Sequence, residues 1–99
     1  MEPLRKYELM YITRPDLDEE SLKNNREKVQ SVITQNGGEI LETQDMGKRR
    51  LAYPIKKLRE GVYTVVQFKS ETDTVKELER NLRLDDNVIR HMVINIDER

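Results

Sequence analysis

Two stretches of helical apolar spacing, each lying between strand-like stretches, predict an α+β fold with the element order βαββαβ. Leu22, Val29, Val32 and Ile33 recur at helical intervals, as do Val75, Leu78 and Leu82. Around them lie four stretches of alternating or nearly continuous apolar residues, punctuated by Arg14-Pro15-Asp16, Asn36-Gly37-Gly38 and Asp85-Asp86-Asn87. Each βαβ half must cross over right-handed, which puts both helices on one face of a four-stranded antiparallel sheet with the first and third strands central. This is the ferredoxin-like split βαβ sandwich, expected here as a single domain over residues 1–99. It leaves the other sheet face without helices.

The first strand is expected over Leu4 to Thr13. Tyr7, Leu9 and Tyr11 fall on one face, and Lys6, Glu8, Met10 and Ile12 on the other. A helix follows from about residue 18 to residue 36. Asp18 suits the N-cap, Glu19 and Glu20 place negative charge on the first turn, and Leu17 with Leu22 can staple the entry. Gly37 and Gly38 stop the helix, since glycine accepts the left-handed C′ conformation. Glu39 to Tyr53 is a long second strand in which Gly47 marks a bulge, and Pro54 ends ladder pairing because it has no N–H to donate. Lys56 to Glu60 is expected to form the turn of a projecting hairpin arm. Val62 to Lys69 is so continuously apolar that it reads as a strand covered on both faces. Thr74 and Glu77 fit a capping box for the second helix, and Val88 to Ile96 forms the last strand.

With 99 residues, the chain can bury one modest core. Charged residues make up 37% and aromatics 5%, so that core must be aliphatic and lean. Cysteine is absent, which excludes disulfides, thiolate metal sites and a cysteine nucleophile. No stretch reads as a signal peptide or as a membrane span, so a cytoplasmic protein is expected. Formal net charge is -1, yet Met46 to Glu60 holds six cations (Lys48, Arg49, Arg50, Lys56, Lys57 and Arg59) and one carboxylate. Such a concentration makes a local positive field suited to phosphates. The alternative is a set of charges that merely blunts a sheet edge.

No catalytic constellation can be assembled. His91 is the lone histidine and lies in an apolar strand; Ser21, Ser31 and Ser70 lack a nucleophile elbow; Gly37-Gly38 is no phosphate cradle. An enzyme is not expected, nor a metal, a cofactor or a small-molecule substrate. On the bare sheet face the alternation places Met10, Ile12, Tyr63 and Val65, with Met92 or Arg90 from the last strand. A contiguous apolar patch there points to a partner. Three functions fit this layout: an RNA-stacking sheet, a small regulatory or protein-interaction domain without RNA binding, and a ribonucleoprotein assembly component. The first is disfavoured, because Gly61 to Phe68 matches the RNA-recognition consensus only loosely and the first strand offers Met10 in place of a stacking ring.

Arg5-Lys6-Tyr7-Glu8, Arg49-Arg50-Leu51-Ala52-Tyr53-Pro54-Ile55 and Asp86-Asn87-Val88-Ile89-Arg90-His91-Met92-Val93 resemble the sixth-protein family of the bacterial small ribosomal subunit. The similarity runs along essentially the whole chain. It implies the same split βαβ fold and a place on the ribosome. It also implies binding to the central domain of small-subunit rRNA together with the eighteenth small-subunit protein, as a heterodimer. By position, Arg49, Arg50 and Leu51 would lie in the partner-contacting arm and Tyr63 on the partner-facing sheet. Arg5, Lys6, Tyr7 and Arg90 would lie close to rRNA, and Lys48, Tyr53 and Lys56 complete the RNA-facing set. Lys48 stands where some relatives have an apolar residue. The acidic extension carried by some relatives has no counterpart beyond Asp97-Glu98-Arg99.

Overall fold

A computed structural model describes residues 4–98. Its elements are β1 (Arg5–Thr13), α1 (Glu19–Gln35), β2 (Glu39–Ile55), β3 (Leu58–Ser70), α2 (Thr72–Leu84) and β4 (Val88–Asn95), followed by a 3₁₀ turn over Ile96–Glu98. The strands form one sheet in the order β2-β3-β1-β4, with every neighbouring pair antiparallel. The predicted element order, central strands and antiparallel sheet are therefore all present.

Alternation along β1 and β3 builds the core. Tyr7, Leu9 and Tyr11 on β1 and Val66 and Phe68 on β3 pack against Val29, Ile33, Val75, Leu78 and Leu82 of the helices and Val88 of β4. Tyr7 stacks on its cross-strand partner Phe68 with ring centroids 5.6 Å apart. β3 is not covered on both faces as its composition suggests. Val62, Thr64, Val66, Phe68 and Ser70 are buried, while Tyr63, Val65, Gln67 and Lys69 are half-buried on the other side.

Asp18 caps α1, its carboxylate accepting from Ser21 N at 2.8 Å. Hydrogen bonds from the Ser21 side chain and from its backbone N–H hold the Asp18 carboxyl below its ordinary pKa. Gly37 takes a φ of 83° past the helix end, where L side chains are strained. The capping box expected at Thr74 and Glu77 does not form, because α2 begins earlier, at Thr72, with Glu71 at the N-cap. Thr74 is buried, and its hydroxyl donates to Asn36 O at 2.8 Å, tying the two helices together. Glu77 pairs with Arg80 at 3.3 Å, which holds its carboxyl below the usual range.

The β2–β3 hairpin departs most from expectation. Gly47, at φ 76°, sits at a bulge between the Asp45–Thr64 and Gly47–Tyr63 pairs, as predicted. The turn, however, is not Lys56 to Glu60. Ile55 pairs with Leu58, so Lys56 and Lys57 alone make it, both in the left-handed region at φ 51° and 68°. A two-residue turn of this hand matches the twist of its strands, which compensates for seating lysine where glycine or asparagine is usual. β2 also runs through Pro54 to Ile55. Its register jumps from Arg50–Glu60 to Ile55–Leu58, so the proline falls where no ladder bond is required. At the other end, β4 stops at Asn95, and Asp97 turns back to accept from Lys6 N at 2.8 Å.

Candidate protein and RNA interface

Register assembles the uncovered face in rows. Tyr63, Ile12 and Arg90 lie side by side across β3, β1 and β4. Val65, Met10 and Met92 form the next row, and Gln67, Glu8 and Ile94 the one after. Two apolar-rich rows thus give way to a polar one, where Gln67 Nε2 donates to Glu8 at 3.4 Å. Met92 is 51% exposed, although its neighbours are aliphatic.

The hairpin does not simply project beyond this face. Leu51 is only 8% exposed, packed with Ile12 and Ile89 and flanked by Ile55, Leu58 and Tyr63. Gly61 permits this arrangement. A Cβ there would stand 2.3 Å from Ile12 Cγ2 and 3.1 Å from Thr13 O, so only glycine lets Ile12 lie across β3. Ile89 joins the cluster through a bulge: Ile12 pairs with Arg90 and Thr13 with Val88. Val88 therefore turns to the helices and Ile89 to the open face.

Between the hairpin tip and the sheet runs a groove of about 300 Å³, lined by Met10, Ile12, Leu51, Ala52, Tyr53, Ile55, Tyr63, Arg90, His91 and Met92. Tyr53 stands at its rim, 57% exposed. Arg90 Nη1 donates to the Tyr53 hydroxyl, and the guanidinium carbon lies 5.8 Å from the ring centroid. Around the hairpin, Lys48, Arg49, Arg50, Lys56, Lys57 and Arg59 are all exposed and form no ion pair among the described residues. Arg49 is steadied by a bond from Nε to Met46 O at 3.2 Å. It faces the open side opposite Gly61, whereas Lys48 and Arg50 pair with Val62 and Glu60 on the reverse side.

The residues singled out from sequence divide accordingly. Met10, Ile12, Leu51, Tyr53, Tyr63 and Arg90 converge on one groove, and Val65 lies in the adjoining row. Ile12 and Leu51 are its buried floor, so neither is an accessible contact. Tyr7 is misassigned as an RNA contact: it is a core residue on the helix side, 7% exposed against Phe68. Arg5 and Lys6 do not join the basic hairpin. They pair with Ser70 and Lys69 at the far end of β1, about 20–25 Å from Ile12 by strand rise. Met92, which alternation already placed on this face as an alternative to Arg90, shares it with Arg90, while Ile55 and Ile89 belong to the face but were not anticipated. Ile55 and Ile89 depend on the hairpin tip and on the bulge in β4.

Among the described residues no three His, Cys, Asp or Glu side chains gather as a metal site. The Tyr11 hydroxyl is pushed up to about 12, chiefly by burial against the helices. No helix among the described residues is long and apolar enough to cross a membrane.

A sequence profile described as ribosomal protein S6 matches residues 6–95. The small ribosomal subunit protein bS6 of Carboxydothermus hydrogenoformans is 50% identical over 95 residues, covering 96% of this chain and 99% of that protein. Its counterpart in Clostridium acetobutylicum is 45% identical over 95 residues, covering 96% and 100%. The crystal structure of 30S ribosomal protein S6 from Thermotoga maritima superposes with a TM-score of 0.91 at 36% identity, covering 97% of this chain and 92% of that one.

Proposed function

The chain belongs to the ribosomal protein S6 family, and from that premise we propose that it holds a protein partner on its open sheet face and rRNA on its basic hairpin. The family is one of ribosomal structural proteins, not of enzymes, and this chain is a constituent of the small ribosomal subunit. The partner is the eighteenth small-subunit protein, bound as a heterodimer, and the RNA is the central domain of small-subunit rRNA, as the family resemblance implies.

The observation that carries this reading is the pair of rows Tyr63-Ile12-Arg90 and Val65-Met10-Met92, covered by neither helix. A face of that composition is stabilised by docking, because its apolar area is still in water. The hairpin supplies the second half. Six exposed cations with no ion pair among the described residues offer phosphates a charge-dense surface on a molecule of net charge -1. Phosphate contacts of this kind position the RNA without reading its bases. The low net charge makes RNA binding by the isolated chain weak, with the partner supplying the remaining affinity. The far-end cations Arg5 and Lys6 are at most a separate RNA contact.

The test is a salt titration on central-domain rRNA, with and without the partner, for the chain and for Arg49→Ala/Arg50→Ala. Loss of phosphate contacts should flatten the slope of log K against log salt by about 1 per contact, with similar losses across base changes. An unchanged slope, together with an unchanged binary affinity, would return these arginines to edge-guarding charges.

A further inference from the structure

We infer that Tyr53 and Arg90 form a clasp over the groove, and that the partner segment seated there carries a carboxylate beside an apolar anchor, which takes Arg90 from Tyr53. The inference rests on the open face being the protein interface, and it moves Tyr53 and Arg90 from the RNA-facing set to the protein groove.

The clasp is built on backbone that the sheet does not hold. Ladder register passes from Arg50–Glu60 directly to Ile55–Leu58, so Leu51, Ala52, Tyr53 and Pro54 face Arg59 alone. This short segment is pinned below by Leu51, buried against Ile12 and Ile89, and above by the contact of Tyr53 with Arg90. The lower contact is a packed one. The upper contact joins two exposed side chains through one hydrogen bond and a guanidinium–ring approach, and it can open without disturbing the core.

Charge decides what opens it. Among the residues lining the groove, Arg90 is the one permanent charge, and none is a carboxylate. Arg90 has no ion pair among the described residues, and its polar contact there is a neutral phenol. A wholly apolar partner would take this guanidinium out of water with one hydrogen bond for five donors, which is costly. A carboxylate matches the guanidinium fork bidentately and neutralises it. A phosphate matches the fork too. Yet the accessible lining formed by Met10, Ile55 and Met92 is aliphatic, and a sugar–phosphate backbone would leave it unfilled while desolvating its own charges. A protein segment with an aliphatic or aromatic side chain next to Asp or Glu satisfies both the lining and the rim.

The experiment is calorimetric titration of the eighteenth small-subunit protein into the full chain at low and moderate salt, with circular dichroism confirming each variant's fold. Arg90→Gln should weaken the binary complex about 10- to 100-fold and reduce its salt dependence, since it removes one side of a charge pair that docking desolvates. Arg90→Lys should recover only part of the loss, because a point charge replaces the fork. Tyr53→Phe keeps the ring and abolishes the hydroxyl contact. It should leave affinity unchanged or raise it by about two- to fivefold, as the open state becomes more populated. Tyr63→Ala serves as the control for the face. If Tyr63→Ala weakens the complex while Arg90→Gln does not, the face stands and the clasp is overturned. If Tyr63→Ala is also silent, the interface reading itself fails. Weakening by Tyr53→Phe as large as that by Arg90→Gln overturns the clasp. So does a loss from Arg90→Gln confined to rRNA binding, which would give Arg90 to the RNA.

Discussion

The two faces of one sheet are built from the same strands and end in opposite states. On the helix side Leu9, Phe68, Ile33 and Leu78 are fully buried. On the other side Ile12 is buried only because the hairpin tip and Gly61 allow it, and Met92 remains half exposed. Side chains of similar hydrophobicity are therefore sorted by period two, one set closing the core and the next facing away from the helices. Burial on the helix side contributes about 1.5–3 kcal/mol per large apolar side chain to folding. Under the proposed interface, the open side would make its contribution on docking instead. Stability and binding are thereby separated by strand parity, and substitutions should report one or the other.

The largest effect should come from the closed face. Leu78→Ala removes a fully buried side chain between α2 and the sheet and should cost about 2–5 kcal/mol of stability by denaturant unfolding. The partner affinity of the still-folded fraction should not change. A binding loss without a stability loss would break the comparison.

Tyr11 sharpens it through pH. Burial raises its folded pKa from 10.0 to about 12. Because the folded value lies above the unfolded one, this contribution is fully present below pH 10 and is lost as pH rises toward 12. A shift of that size corresponds to roughly 2–3 kcal/mol across the window. Tyr11→Phe should flatten the alkaline limb of a stability–pH profile.

The smallest effect on folding, and the one most telling for function, belongs to Tyr63. Tyr63→Ala should leave folding largely intact and weaken partner binding by about 1–3 kcal/mol, the range of a large ring in an interface. Isothermal titration beside a urea melt measures both quantities on one preparation.

Most of this division was legible in the sequence, because alternation is a local signal. Tyr7, Leu9 and Tyr11 against Met10 and Ile12 already assign both faces of β1. Asp18 and Gly37 bound α1 by their own backbone chemistry, and Gly47 marks its bulge. What escaped depends on groups distant in the chain. Leu51 sits among charged residues, and only Ile12, Ile89 and the missing Cβ of Gly61 reveal that it is buried. Lys56-Lys57 carries no turn signature, so the tight turn had to be seen. Tyr7 looked available beside Arg5 and Lys6, yet alternation alone turns it inward, away from its basic neighbours. The Thr74–Glu77 pattern matched a cap that helix packing overrides, since Thr74 is drawn to Asn36 O instead. The groove itself, with Tyr53 and Arg90 37 residues apart in sequence, is a product of the hairpin's jump in register.

The central claim is that docking uses the face opposite the helices. It is tested most directly by side-chain NMR of the chain titrated with the eighteenth small-subunit protein. Resonances of Met10, Tyr63, Val65 and Met92 should shift with saturation, while those of Val29, Ile33, Leu78 and Leu82 hold their positions. Shifts concentrated on the exposed surfaces of α1 and α2, with the methionines unmoved, would contradict the account.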